Sequence, residues 1–306
     1  MKQLYTAIPT PFLNNKIDFG SLEKLINFQI ENKVDGLVLS GSTGEGHNLS
    51  YEEWQDLLKF VVKNYKNKID IVAGVGFNST VNAVKYSKKA EEIGVDYILA
   101  TVPYYNKPQQ NGIYHHFKSI CQSVKTDVII YNVPSRTATD ISNDTISKLF
   151  NDFSNIVGLK DATGKLERVA DLKSKIDNVK EKNNINRYFV MLSGEDATQI
   201  GFNAMGGVGV ISVVSNIAPK LCKEIQENCK KGNFVKALKM QNILYTLSQA
   251  MFCETNPVPV KYALYKMNIF ATEELRLPLV NICDENKKKI DEIILKYITV
   301  SDYFKH

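Results

Sequence analysis

The sequence predicts an α/β fold, a (β/α)8 TIM barrel with a C-terminal helical appendix, and three observations carry the prediction. Short β-rich runs alternate with longer amphipathic stretches, which is the pattern of repeated βα units. The runs number eight, and eight such units in about 220 residues suit a closed parallel barrel. After the eighth run the β signal stops, and the rest of the chain reads as helices.

The runs span residues 5–8, 36–39, 69–74, 97–102, 127–131, 156–160, 189–192 and 209–213. Each pair of runs is separated by a stretch that can hold a helix. Ser50 followed by Glu53 predicts a helix start, a serine cap with an acid three residues on. Further starts are expected at Ser79–Thr80 and at Ser142. The lysine-rich stretch 179–187 reads as a solvated loop between a helix and the seventh strand. From Pro219 onward helices are expected, with breaks near Gly232, at 256–259 and around 277–278. The predicted division is a barrel over 1–218 and a helical domain over 219–306.

Composition narrows the function classes. The chain has 306 residues, 44% hydrophobic and 23% charged, enough to build a large core and outside the range of disordered chains. Lysine and arginine total 38 against 33 acids, for a net charge of +5. No basic block interleaved with aromatics occurs, so nucleic acid is not an expected partner. Five cysteines stand apart, none in a Cys-x-x-Cys pair, which argues against a disulfide framework or thiolate zinc site. Four histidines lack paired ligand spacing, so no metal is expected. The opening residues lack a signal-peptide stretch, and no run approaches the roughly 18 apolar residues of a membrane span. A soluble, cytoplasmic location with no membrane partner is the expectation.

In barrel enzymes the reactive groups gather at the C-terminal ends of the strands. Lys160 ends the sixth run, where the barrel interior would bury it. A buried lysine without a fixed counter-charge becomes a neutral nucleophile near pH 7. The competing readings are a lysine that reaches the rim, or one paired with Asp161. After the second run, Gly41-Ser42-Thr43-Gly44 has no following lysine, so it is not a nucleotide phosphate loop. Its N–H groups and two hydroxyls can form a small nest for a carboxylate, or simply make a glycine-rich turn. Gly74-Val75-Gly76 lacks the third glycine of a dinucleotide fingerprint and reads as strand-end packing. Tyr104, Tyr105 and Tyr131 fall at strand ends, where tyrosine hydroxyls relay protons or rings merely pack. Arg136, after a rigid Val-Pro turn, suits a bidentate clamp on a carboxylate or a rim salt bridge.

These residues sit in ordered segments. They are Gly41-Ser42-Thr43-Gly44-Glu45, Pro103-Tyr104-Tyr105-Asn106, Tyr131-Asn132-Val133-Pro134-Ser135-Arg136-Thr137, Gly158-Leu159-Lys160-Asp161-Ala162-Thr163-Gly164, Ser193-Gly194-Glu195-Asp196 and Gly209-Val210-Ile211-Ser212. Together they resemble the dihydrodipicolinate synthase family, almost end to end. The glycine-rich turn, the strand-five tyrosine and the strand-six lysine are shared with other pyruvate-dependent aldolases, such as N-acetylneuraminate lyase and keto-sugar-acid aldolases. The segment carrying Arg136 is similar to the synthase branch.

The resemblance implies that Lys160 forms an imine with pyruvate, with no metal or diffusible cofactor, while Thr43 and neighbouring amides hold the pyruvate carboxylate. It implies that Tyr131 is the general acid/base, in a hydroxyl relay with Ser42 and with a Tyr105 from a neighbouring subunit. Ser42 stands where the family usually has threonine and keeps the hydroxyl. Arg136 would receive the carboxylate of L-aspartate 4-semialdehyde, and Gly194 and Ile211 would line the pyruvate end. The implied assembly is a homotetramer, a dimer of dimers, and the implied pathway is lysine and diaminopimelate synthesis. A scaffold-like paralogue would be expected to have lost Lys160 or Tyr131, and both are present. In lysine-inhibited members, residues matching Asn78 and Tyr104 hold the inhibitor's carboxylate. Here Asn82 replaces a glutamate and Trp54 a histidine, so feedback inhibition by L-lysine is expected to be weak or absent.

Overall fold

A computed structural model describes residues 2–299. Along the chain the strands are β1 (Leu4–Ala7), β2 (Phe12–Leu13), β3 (Lys16–Ile17), β4 (Gly36–Leu39), β5 (Asp70–Gly74), β6 (Tyr97–Thr101), β7 (Asp127–Asn132), β8 (Ile156–Asp161), β9 (Val190–Ser193) and β10 (Gly209–Ser212). β1 pairs in parallel with both β4 and β10, and the eight longer strands close a parallel barrel in sequence order. Every run expected as a strand is one. The sequence reading did not foresee the antiparallel hairpin β2–β3, whose two-residue strands are too short to show a period.

The helices are α1 (Phe19–Glu31), α2 (Tyr51–Tyr65), α3 (Thr80–Ile93), α4 (Gln110–Ser123), α5 (Pro134–Thr137), α6 (Asn143–Asp152), α7 (Leu166–Asn183), α8 (Gln199–Ala204), α9 (Pro219–Lys230), α10 (Phe234–Met251), α11 (Val258–Lys266) and α12 (Asp284–Ile293). Ser50 caps α2 in a full capping box with Glu53, and Ser79 and Ser142 cap α3 and α6. One expectation needs correction. The stretch 179–187 is not all loop, because α7 runs on to Asn183 and only the residues beyond it connect to β9. Val169, Leu172 and Ile176 bury one narrow stripe of α7, and the helix continues past it through a last turn carrying Lys180 and Lys182 to Asn184, which caps it in the left-handed conformation.

Two apolar layers follow from the strand period of two. Ile129 and Tyr131 of β7 face the barrel interior with Tyr5, Val38, Leu99, Leu192 and Ile211. Val128 and Ile130 face the helical shell instead. Full burial of each such aliphatic side chain stabilises by about 1.5–3 kcal/mol, so inversion of a strand by one residue is strongly disfavoured. Leu159 packs on the outer shell, so its neighbour Lys160 is turned inward.

The chain beyond β10 is helical, as expected, and Gly232 with φ of 74° separates α9 from α10. α9 packs against α8, α10 and β1, the place of the eighth barrel helix. α10 and α11 join the same apolar shell through Leu244, Leu247, Met251 and Leu264. Among the described residues no helix is long and apolar enough to cross a membrane.

Candidate active site

The loop after β4 is built for close approach. Ser40 has φ of 51°, and a Cβ on Gly74 would lie 2.6 Å from the Ser40 carbonyl oxygen, so only glycine leaves room for this turn. This matches the strand-end packing expected of Gly74 and Gly76. Within the loop, Gly46 N–H donates to the Gly41 carbonyl at 3.1 Å, and Thr10 Oγ1 donates to the Gly44 carbonyl at 2.6 Å. Thr43 is thereby buried, and its Oγ1 accepts from Asn256 Nδ2 at 2.9 Å.

Lys160 is 6% exposed, and its register partner on β7 is Tyr131. Its Nζ lies 4.2 Å from the centroid of the Tyr131 ring. Among the described residues no carboxylate comes within ion-pair distance of it. Asp161 faces the other way, toward Arg168, Asn132 and Thr163. Burial raises its pKa, with Thr163 and Arg168 opposing. Both alternatives for Lys160, the rim and the pair with Asp161, therefore fail. Asp196, fully enclosed, is also raised by burial. Bonds from Ser212 and from the Val213 and Val214 N–H groups oppose this, as does the Lys160 charge.

Ser42, Thr43, Tyr131, Arg136, Lys160 and Gly194 line one cavity of about 360 Å³. A neighbouring cavity of about 310 Å³ shares Ser42, Tyr131 and Arg136 and extends to Tyr104 and Trp54. Gly194 must be glycine, since a Cβ there would come within 2.7 Å of the Ala162 Cβ. Arg136 projects from α5, and its Nη2 donates to the Asn256 carbonyl at 3.3 Å. Among the described residues no carboxylate pairs with Arg136, so the rim salt bridge is not formed.

Two expected residues lie apart. Ile211 is buried in the barrel interior and is not among the residues lining the cavity. Tyr105, with φ of 71°, is 87% exposed and outside both cavities. Within one chain, among the described residues, no hydrogen bond links Ser42, Tyr131 and Tyr105. The sequence reading missed Asn256, which it took only as part of a helix break. Asn256 joins Thr43 to Arg136, and its Oδ1 is buried without a partner. A polar residue directly before Pro257, at the entry to an apolar stretch, was the available signal. Among the described residues no group of three His, Cys, Asp or Glu side chains is placed to hold a metal ion.

The model of the dihydrodipicolinate synthetase family matches residues 1–297. A 4-hydroxy-tetrahydrodipicolinate synthase of Hydrogenobaculum sp. (strain Y04AAS1) is 42% identical over 292 residues, covering 95% of this chain and 97% of that protein. One from Rickettsia bellii is 43% identical over 293 residues, covering 96% of each. The crystal structure of dihydrodipicolinate synthase from Aquifex aeolicus superposes with a TM-score of 0.92 at 37% identity, covering 97% of this chain and 98% of that one.

Proposed function

Because this chain belongs to the dihydrodipicolinate synthetase family, we propose that it condenses pyruvate with L-aspartate 4-semialdehyde to 4-hydroxy-tetrahydrodipicolinate through an imine on Lys160. One observation carries the proposal. An inward lysine with, among the described residues, no carboxylate within ion-pair distance shares a cavity with Tyr131, Thr43 and Arg136.

The chemistry follows from those groups. Lys160 Nζ attacks the ketone carbon of pyruvate and water leaves, so the imine draws electrons from the adjacent methyl. Loss of a methyl proton gives the enamine, with Tyr131 as the proton carrier beside it. The enamine carbon bonds to the aldehyde carbon, whose oxygen takes up a proton. The amine of the second substrate then attacks the imine carbon, the ring closes, and Lys160 leaves as the free amine. Thr43 and the amides of its loop hold the pyruvate carboxylate, and Gly194 lets that end of the site approach closely. No step passes through a metal or diffusible cofactor, because the imine is itself the electron sink.

Arg136 favours this reading over an N-acetylneuraminate lyase-like or keto-sugar-acid aldolase. Its guanidinium enters the cavity unpaired by any carboxylate of the described residues, ready for that of the aldehyde. Tyr105, exposed and turned away from its own cavity, suits a hydroxyl delivered to a neighbouring subunit, which fits a homotetramer in the cytoplasm that serves lysine and diaminopimelate synthesis. The test pairs pyruvate with L-aspartate 4-semialdehyde and, separately, assays cleavage of sialic acid and keto-sugar acids. Turnover of the first alone is expected. Preference for a sugar acid would move the chain to the other branch.

A further inference from the structure

The loop that carries Ser42 and Thr43 is held from outside the barrel. Two residues past Thr43, Glu45 adopts φ of 49° and turns its carboxylate into the protein. Glu45 Oε1 accepts from Lys261 Nζ at 2.6 Å, and both side chains are 0% exposed. Glu45 Oε2 accepts from the Arg276 N–H at 3.2 Å and from Asn48 Nδ2 at 3.3 Å. Lys261 belongs to α11, and its Nζ also lies 4.2 Å from the Phe12 ring centroid. Neither Glu45 nor Lys261 lines the reaction cavity. The segment entering α11 grips the same loop a second time, through the bond from Asn256 to Thr43.

A buried ion pair is seldom more stabilising than apolar residues of similar size, because desolvation cancels much of the attraction. What it does provide is direction. An orphaned carboxylate at position 45 could not stay where it is, so the pair admits one arrangement of the turn. We propose that Lys261 is a positioning residue for the pyruvate half of the site: through Glu45 it fixes the pose of the Thr43 hydroxyl and neighbouring amides that receive the pyruvate carboxylate. The C-terminal helices are then part of the substrate-binding apparatus. The inference rests on the reading that the Thr43 loop holds that carboxylate.

The experiment compares the full-length wild type with Lys261→Met, Glu45→Asp, the uncharged pair Glu45→Gln/Lys261→Met, and Thr43→Val. The readouts are the pyruvate concentration that half-saturates borohydride trapping, KM for each substrate, and kcat. Glu45→Asp keeps the charge and shortens its reach, and the uncharged pair leaves no orphaned charge, so both keep the fold where Lys261→Met alone can lose it. In these two variants the half-saturating pyruvate concentration is expected to rise about tenfold, the loss of about one well-aligned charge-assisted contact. Aldehyde KM and kcat should stay within about threefold of wild type. Folded variants with unchanged pyruvate saturation, or with losses spread equally over both substrates and kcat, would overturn the proposal. If instead Thr43→Val leaves pyruvate saturation unchanged, the reading of the loop itself fails, whatever Lys261 does.

Discussion

Lys160 and Lys261 have similar surroundings by the usual measures. They are 6% and 0% exposed, and each Nζ lies 4.2 Å from an aromatic ring centroid. They differ in partner and in space. Lys261 touches Glu45 and lines neither of the two site cavities, whereas Lys160 lines one and has, among the described residues, no carboxylate within ion-pair distance. Burial pushes the Lys261 pKa down to about 8, with Glu45 pulling it back up. Burial alone therefore does not make a lysine a nucleophile. On the proposed mechanism, absence of a fixed counter-charge and room for a substrate carbon are what select Lys160 as the lysine that reacts.

The largest effect expected from this contrast is on turnover. Lys160→Ala should reduce synthase activity by about 10⁴-fold, since no other group supplies the imine. Steady-state assay of the purified variant checks this, and substantial residual activity would dissolve the distinction between the two lysines.

Stability should rank them in the opposite order. Lys261→Met leaves the Glu45 carboxylate buried and unpaired and should cost about 3–5 kcal/mol. Lys160→Met breaks no ion pair among the described residues, removing only the more distant influence of its charge on Asp196, and should cost about 1 kcal/mol. Denaturant unfolding of the two variants gives the comparison. It also has a pH signature. The folded pKa of Lys261 is below that of the unfolded chain, so between about 8 and 10.5 the unfolded state holds the extra proton. The penalty for burying the charged lysine is full below that window and disappears as pH rises through it. Lys261→Met should lack this upward slope in stability.

Arg136→Ala sharpens the contrast within the cavity. It removes a charge-assisted clamp worth about 1.5–3 kcal/mol, a tenfold to hundredfold loss in kcat/KM for the aldehyde, while pyruvate still traps on Lys160. Unchanged aldehyde kinetics would reopen the choice of second substrate.

The smallest expected response is to L-lysine. Trp54 is buried beside the neighbouring cavity with its Nε1 donating to the Gly74 carbonyl at 3.2 Å, and Asn82 is an exposed amide near the start of α3. An ammonium left without its carboxylate should bind one to two powers of ten more weakly, a loss of about 1.5–3 kcal/mol. A lysine titration of wild type beside Asn82→Glu should show little inhibition of the former. Tight, cooperative inhibition of wild type would contradict it.

The same two lysines mark how far the sequence can be read. Lys160 ends the apolar run 156–160 and Lys261 interrupts the apolar run 258–264, so both read locally as lysines set against apolar neighbours. Lys160 was legible because a strand end in a barrel has a known orientation toward the interior. The role of Lys261 was not, because its partner is more than two hundred positions away and no local period reports a contact of that range. Asn256 was hidden for the same reason, its bonds reaching Thr43 and Arg136 across the barrel mouth. The strands were readable because each is a short apolar run between polar turns. α7 was cut short in the reading because its last turns, beyond the buried Ile176, are lysine-rich and mostly exposed and so carry no apolar period.

Borohydride reduction in the presence of pyruvate, followed by peptide mass mapping, tests the central claim most directly. The expected result is a single carboxyethyl adduct on Lys160, with loss of activity in proportion to labelling and no adduct in Lys160→Ala. An adduct on Lys261 or any other lysine in that variant, or continued turnover after complete reduction, would contradict it.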